Sequence, residues 1–148
     1  MMKLHISKEW NQKEKQYIDD QLYLFNLQHF PKELGGRYEE VNVLVKDENG
    51  ALRGGILSAV CWNWLEIYTI FLDEDSRRSG YGTKLLSEVE KVAVEKKCDF
   101  IKVDTLSFQA LDFYKKNGFQ VFGSLKGVGR DFEHYYLKKD LNLQNLSV

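Results

Sequence analysis

The chain of 148 residues has a single proline, Pro31, and only two cysteines, Cys61 and Cys98. Two thiols far apart build no disulfide framework and suit a reducing cytosol. The three histidines, His5, His29 and His134, lie far from one another, with no cysteine or histidine at ligand spacing, so no metal site is expected. An excess of charge of one sign is also missing. Lysine and arginine number 21 against 22 aspartates and glutamates, for a formal net charge of −1. Without a global basic field, nucleic acid is not an expected partner. No apolar run reaches transmembrane length, and the first nine residues lack the apolar centre of a signal peptide. These absences point to a cytoplasmic chain with no membrane, nucleic-acid or metal partner.

What is present is apolar and aromatic. Hydrophobic residues make up 43% and aromatics 14% of the chain, enough for one core and one domain over residues 1–148. Leu4 and Ile6 alternate with polar residues and predict a short first strand. Residues 13–27 place Tyr17, Ile18, Leu22, Phe25 and Leu27 at helical spacing, and Pro31 with Gly35-Gly36 then breaks the chain. Residues 40–46 and 51–60 predict two strands around the turn Asp47-Glu48-Asn49-Gly50. Gly54-Gly55 inside the second of them predicts a bulge or a close backbone approach. Residues 65–72 form a central strand, apolar on both faces except at Glu66. Residues 82–97 follow as a helix with Leu85, Leu86, Val89, Val92 and Ala93 in one stripe. A strand over 100–104, a helix over 109–117 and strands over 119–122 and 132–138 complete the pattern. Three glycines predict a mobile connection over 123–130. The fold class is mixed α/β, a mixed sheet covered by helices.

The segment Arg77-Arg78-Ser79-Gly80-Tyr81-Gly82-Thr83 joins the central strand to the long helix. A helix N-terminus leaves its first N–H groups unpaired and carries partial positive charge, and phosphate satisfies both. Glycine allows the backbone a close approach, and arginine supplies forked donors for phosphate oxygens. A Walker loop is excluded, because position 77, five before Gly82, is arginine. A dinucleotide fingerprint needs glycine or alanine three residues after Gly82, where Leu85 stands. Arg77-x-x-Gly80-x-Gly82 instead resembles the pyrophosphate-binding signature of the GNAT superfamily of N-acyltransferases. A second segment, Tyr114-Lys115-Lys116-Asn117-Gly118-Phe119, resembles that family's Tyr-x-x-x-Gly-Phe hallmark, in the expected order along the chain. The resemblance covers roughly positions 40–138.

The resemblance implies a mostly antiparallel sheet whose parallel central strands splay apart, flanked by helices. It implies acetyl-CoA as acyl donor, with Arg77, Arg78, Ser79, Gly80, Tyr81, Gly82 and Thr83 at the diphosphate. Ile70, Phe71 and Leu72 would then bind the pantetheine arm through their backbone. The family often has asparagine seven residues before the tyrosine; here that position is Ser107. Tyr114 is the candidate general acid for the leaving thiolate, its alternative being a core aromatic with a satisfied hydroxyl. Glu66 is the candidate general base for the attacking amine, its alternative being an outward carboxylate paired with lysine or arginine. Asp104 and Thr105 end the strand before the second motif and read equally as site residues or as a helix cap. Trp62, Trp64, Tyr68, Phe30, Tyr135 and Tyr136, with Asp73, Glu74 or Glu39, could wall a site for a cationic amine or simply pack.

The expected activity is transfer of acetyl from acetyl-CoA to a primary amine of a small molecule or peptide, by direct attack in a ternary complex. Cys61 has no histidine near it in sequence, so an acyl-enzyme is disfavoured. The alternatives are a catalytically silent CoA-binding sensor or partner module and, more remotely, a nucleotide binder unrelated to CoA. Small members of the family are commonly homodimers, so a homodimer is a further expectation.

Overall fold

A computed structural model describes residues 1–141 of the chain, in two compact units, Met1–Gly36 and Arg37 onward. In the first unit, α1 spans Gln12–His29. Asn11 caps it, its side-chain oxygen accepting from the backbone of Lys13 at 3.0 Å and of Glu14 at 3.2 Å. His29 sits in the last turn, where a cation is favoured. Pro31 leads into a single 3₁₀ turn over Lys32–Leu34, and Tyr23 donates its hydroxyl to the Gly36 carbonyl at 2.7 Å. Residues 1–11 form no strand, contrary to the expectation at Leu4 and Ile6. Two alternating apolar residues bury too little to hold a strand without a ladder partner. No helix among the described residues is long and apolar enough to cross a membrane.

The second unit is a six-stranded mixed sheet. Its strands are β1 (Tyr38–Lys46), β2 (Leu52–Cys61), β3 (Trp64–Leu72), β4 (Phe100–Leu106), β5 (Gln120–Val128) and β6 (Phe132–Asp140). They lie in the order β1-β2-β3-β4-β6-β5, and only the β3–β4 pair is parallel. The crossover between those two strands carries α2 (Tyr81–Glu95), whose Leu85, Leu86, Val89 and Ala93 are buried on the predicted stripe. They pack with Ile56, Val60, Leu65, Ile67, Ile101, Val103 and Leu137 of the sheet. The short helix α3 (Leu111–Lys116) adds Tyr114 to the same core.

The sheet has two irregularities. On β3 the register passes from Thr69 opposite Leu57 to Ile67 opposite Ser58, so Tyr68 is an extra, bulged residue. Inward-facing residues are therefore Leu65 and Ile67 before the bulge but Ile70 and Leu72 after it. This shift of phase is why the segment reads as apolar on both faces. The expected mobile connection over 123–130 is instead mostly strand. β5 runs to Val128, with register shifts at Val121/Gly123 and Lys126/Val128 that leave Phe122 and Gly127 as the extra residues, while Gly123 pairs with Tyr136 in the β6 ladder.

Candidate active site

The parallel pairing of β3 and β4 begins at Trp64–Phe100 and ends at Ile67–Val103. Beyond that point β3 follows β2 as far as Leu72, while β4 follows β6 as far as Leu106. The two central strands thus part, and a cleft opens between Tyr68–Leu72 and Asp104–Leu106. Backbone groups turned into such a cleft have no ladder to satisfy them and can bind an extended polar chain.

The arginine-glycine loop closes one side of this opening. A 3₁₀ turn over Glu74–Ser76 precedes it, capped by Asp73, whose carboxylate accepts from the Ser76 N–H at 2.9 Å. Arg77 donates through Nε to the Leu72 carbonyl at 2.8 Å and sets its guanidinium 5.8 Å from the centre of the Phe71 ring. Arg78 has a positive φ of 67°. Neither arginine has a carboxylate partner among the described residues. Ser79 is exposed and donates its hydroxyl to the Ser76 carbonyl at 2.9 Å. Gly80, at φ 81°, occupies the N-cap of α2 with no side-chain cap bond, and no acidic residue stands in the first turn. Open N–H donors and two uncompensated cations therefore share one corner, a favourable place for phosphate. A Cβ at Gly82 would meet the Phe113 ring at 3.0 Å, so glycine there permits α2 and α3 to touch. Tyr81 stacks against the Lys84 ammonium at 4.8 Å, and Thr83 faces a groove shared with Asn117 and Phe119.

Arg53 braces this corner from below. It pairs with Asp47 at 2.9 Å and with Asp73 at 3.2 Å. The Asp73 carboxyl is held below its ordinary range, first by its hydrogen bond from Ser76 and then by Arg53. Asp47 is lowered as well, first by the Ala51 N–H. Carboxylates lowered by folding stabilise the fold above their ordinary pKa and lose that contribution as pH falls through the lowered value. Asp73→Asn should therefore flatten the acid limb of stability. Urea midpoints measured from about pH 5 down to about pH 2 check this, and an unchanged slope would contradict it.

Tyr114 is 1% exposed, its ring edge-on to Phe113 and to Phe119, each with centroids 5.4 Å away. Its hydroxyl makes no hydrogen bond among the described residues, yet no fully buried side-chain oxygen there lacks a partner. The hydroxyl therefore opens onto space while the ring is sealed. Burial, and then the nearby Asp104 carboxylate, push the phenol well above its ordinary pKa, so it stays protonated. Asp104 is the first β4 residue beyond the paired stretch, which sets Tyr114 close to the point of parting.

Comparison with known proteins agrees with this arrangement. The model of the acetyltransferase (GNAT) family matches residues 5–119. The chain belongs to that family. It is 32% identical over 95 residues to a blasticidin-S acetyltransferase of Streptomyces morookaense, covering 64% of this chain and 70% of the relative. A crystal structure of an acetyltransferase from Bacillus cereus shares 33% identity at a TM-score of 0.85, over 93% of this chain and 98% of that one. A structure from Bacillus anthracis, solved in complex with acetyl coenzyme A, shares the fold at 23% identity and a TM-score of 0.63, over 70% of this chain and 64% of that one. The protein is thus an acyltransferase of the GNAT type with a splayed mixed sheet.

Other residues singled out in the sequence are placed differently within this GNAT fold. Glu66 lies on the sheet face opposite Leu65 and Ile67, just before the strands part. Its carboxylate pairs with Lys102 at 3.2 Å and accepts from the Trp64 indole at 3.3 Å. Ser107 is tied to β6, its hydroxyl accepting from the Glu133 N–H at 3.1 Å. Thr105 is inward-facing and accepts from the Ala110 N–H at 3.2 Å, but Ala110 is itself the N-cap of α3 and no side chain caps that helix, so the helix-cap reading of Asp104 and Thr105 does not hold. Trp62 is buried, and Trp64 stacks on Phe100 with centroids 5.9 Å apart. Ile70 and Leu72 pack on the core, while Phe71 is exposed at the cleft.

Sequence reasoning gave His134 no part in the chemistry. It approaches Asp104 at 3.0 Å through Nε2, and Tyr136 lies 3.3 Å from its Nδ1. The two ends of this group are separated by some thirty positions, and only the β4–β6 register, with Asp104 opposite Tyr136, brings them together.

Proposed function

We propose that this protein transfers acetyl from acetyl-CoA to a primary amine of a small molecule, by direct attack of the amine within a ternary complex. The observation that carries the reading is the parting of β3 and β4 beside a helix N-terminus without a side-chain cap and two arginines with no carboxylate partner among the described residues. An acyl-CoA has the matching shape, a diphosphate for the corner and a narrow polar arm for the cleft. The residues that would hold it are Arg77, Arg78 and the backbone from Gly80 to Thr83 at the diphosphate, and the backbone of Ile70, Phe71 and Leu72 along the arm. Bound there, acetyl-CoA supplies an activated acyl group as its thioester.

Tyr114 is the residue we assign to the departing sulfur. Its raised pKa does not by itself disqualify it. The developing thiolate would sit in the same poorly solvated space, which raises the basicity of sulfur as well as that of the phenolate. The neutral phenol then acts as a hydrogen-bond donor where negative charge appears. Glu66 and Asp104 give the opposite face carboxylates at the point of parting, which supports a cationic acceptor. Both cysteines are buried and unpaired, which supports direct attack without an acyl-enzyme and a reducing, cytosolic setting. The family match runs from residue 5 to 119, across both compact units, and supports their belonging to one domain.

The test is thiol release from acetyl-CoA in the presence of an amine panel, with mass spectrometry of the products. Blasticidin S comes first, since a relative 32% identical is named for it. Amine-dependent thiol release with an acetylated product supports the reading. Binding of acetyl-CoA without transfer to any amine would favour a CoA-binding module.

A further inference from the structure

We propose that Tyr136, His134 and Asp104 form a proton relay that takes the proton from the acceptor amine as it attacks the thioester. The inference rests on the acetyltransferase reading and adds a route for the proton. An ionised Asp104 carboxylate can only accept, so the proton shared at 3.0 Å belongs to His134 Nε2. That leaves Nδ1 of the neutral ring as an acceptor, and the Tyr136 hydroxyl, 3.3 Å away, donates to it. The phenol oxygen keeps its own lone pairs for a donor outside the group. The three side chains therefore have one direction of polarity, from an amine to Tyr136 to His134, with Asp104 to balance the imidazolium that results.

Position favours this group. Asp104 and Tyr136 are directly opposite in the β4–β6 ladder, and Asp104 is the first β4 residue past the last parallel pair. Asp104 is also close enough to influence the Tyr114 phenol. The proposed sulfur donor and the proposed proton acceptor thus converge on the same parting of the strands. Glu66, by contrast, already has Lys102 and the Trp64 indole on one oxygen.

Among the described residues, the other groups facing the relay from the neighbouring strands are these. On β4, Lys102 is held by Glu66. On β6, Lys138 is held by Asp140. From β5 the residue opposite His134 is Leu125, which brings no charge. The step balances. The amine nitrogen bonds to the acyl carbon, and the carbon–sulfur pair leaves with sulfur toward the Tyr114 hydroxyl. The nitrogen's proton passes to Tyr136 while the Tyr136 proton passes to His134 Nδ1.

The experiment is a pH–rate profile for thiol release, using acetyl-CoA and the fastest amine among blasticidin S, spermidine and a short peptide with a free N-terminus. His134 must be neutral to accept, so the wild-type rate falls on the acid side. Tyr136→Phe should lower kcat/KM by about 100-fold with the KM for acetyl-CoA little changed. His134→Gln should lose the acid limb, and Glu66→Gln should keep it. A merely structural role would leave the limb in place. Loss of the limb in Glu66→Gln with its retention in His134→Gln would overturn the relay and assign the proton to Glu66. Full activity of Tyr136→Phe would also overturn it, while the acetyltransferase reading stands. If the wild type binds acetyl-CoA but acetylates none of the three amines, both fall together.

Discussion

Replacing Tyr114 with phenylalanine is expected to lower kcat by about 100-fold or more, with acetyl-CoA binding changed by no more than about twofold. The hydroxyl makes no hydrogen bond among the described residues and the ring is almost fully buried, so phenylalanine fits the same space. Stability should stay within about 0.5 kcal/mol of wild type, because no buried partner is left unsatisfied. The loss would then belong to the reaction itself, where the phenol meets charge forming on sulfur. Steady-state kinetics paired with calorimetric binding of acetyl-CoA separates the two quantities. Equal turnover by the variant would remove Tyr114 from the chemistry. A parallel loss of binding would make it a packing residue of the cofactor cleft.

Another change of a single heavy atom should have the largest effect on folding. Gly54→Ala adds one methyl group, but its carbon would fall 2.2 Å from the Phe71 carbonyl oxygen and 2.8 Å from the Leu72 Cα. Both obstacles are backbone of β3, so no side-chain rotation relieves them. Gly55 is confined in the same way on the other side, 2.6 Å from the Val43 carbonyl. The pair lets β2 seat tightly between β1 and β3, at the stretch of β3 that continues past the parting. Relief requires moving β3 away from β2, at a cost of about 3 kcal/mol. That corresponds to a fall in Tm of about 10 °C. Gly50 is the control. It has φ 82° but open space around it, so Gly50→Asn should cost no more than about 1 kcal/mol. Thermal melts of the two variants check the contrast, and an unchanged Gly54→Ala melt would contradict the close approach.

Parts of this architecture are legible from residue order alone. α2 is readable because Leu85, Leu86, Val89 and Ala93 repeat at helical spacing and all are buried. The β1–β2 hairpin is readable because Asp47 supplies its own turn, accepting from the Asn49 and Ala51 N–H groups at 2.9 Å each. The arginine-glycine loop is readable as the junction of β3 and α2, with Gly80 at the N-cap. β5 is harder, since Gly123 and Gly127 signal a loop, yet Gly123 pairs with Tyr136 and Gly127 is the extra residue at a register shift within the strand. The bulge at Tyr68 hides the alternation of β3 because it depends on a neighbour's register. The pairs Glu66–Lys102 and Asp104–His134 are set by strand pairing between distant segments, and no short-range pattern carries them.

The most direct test of the central claim is calorimetric titration of the purified protein with acetyl-CoA, beside the Arg77→Ala/Arg78→Ala double variant. The account predicts saturable binding by the wild type, weakened at least about tenfold by loss of two charge-assisted phosphate contacts. No binding at about millimolar acetyl-CoA, or equal binding by the double variant, would contradict it.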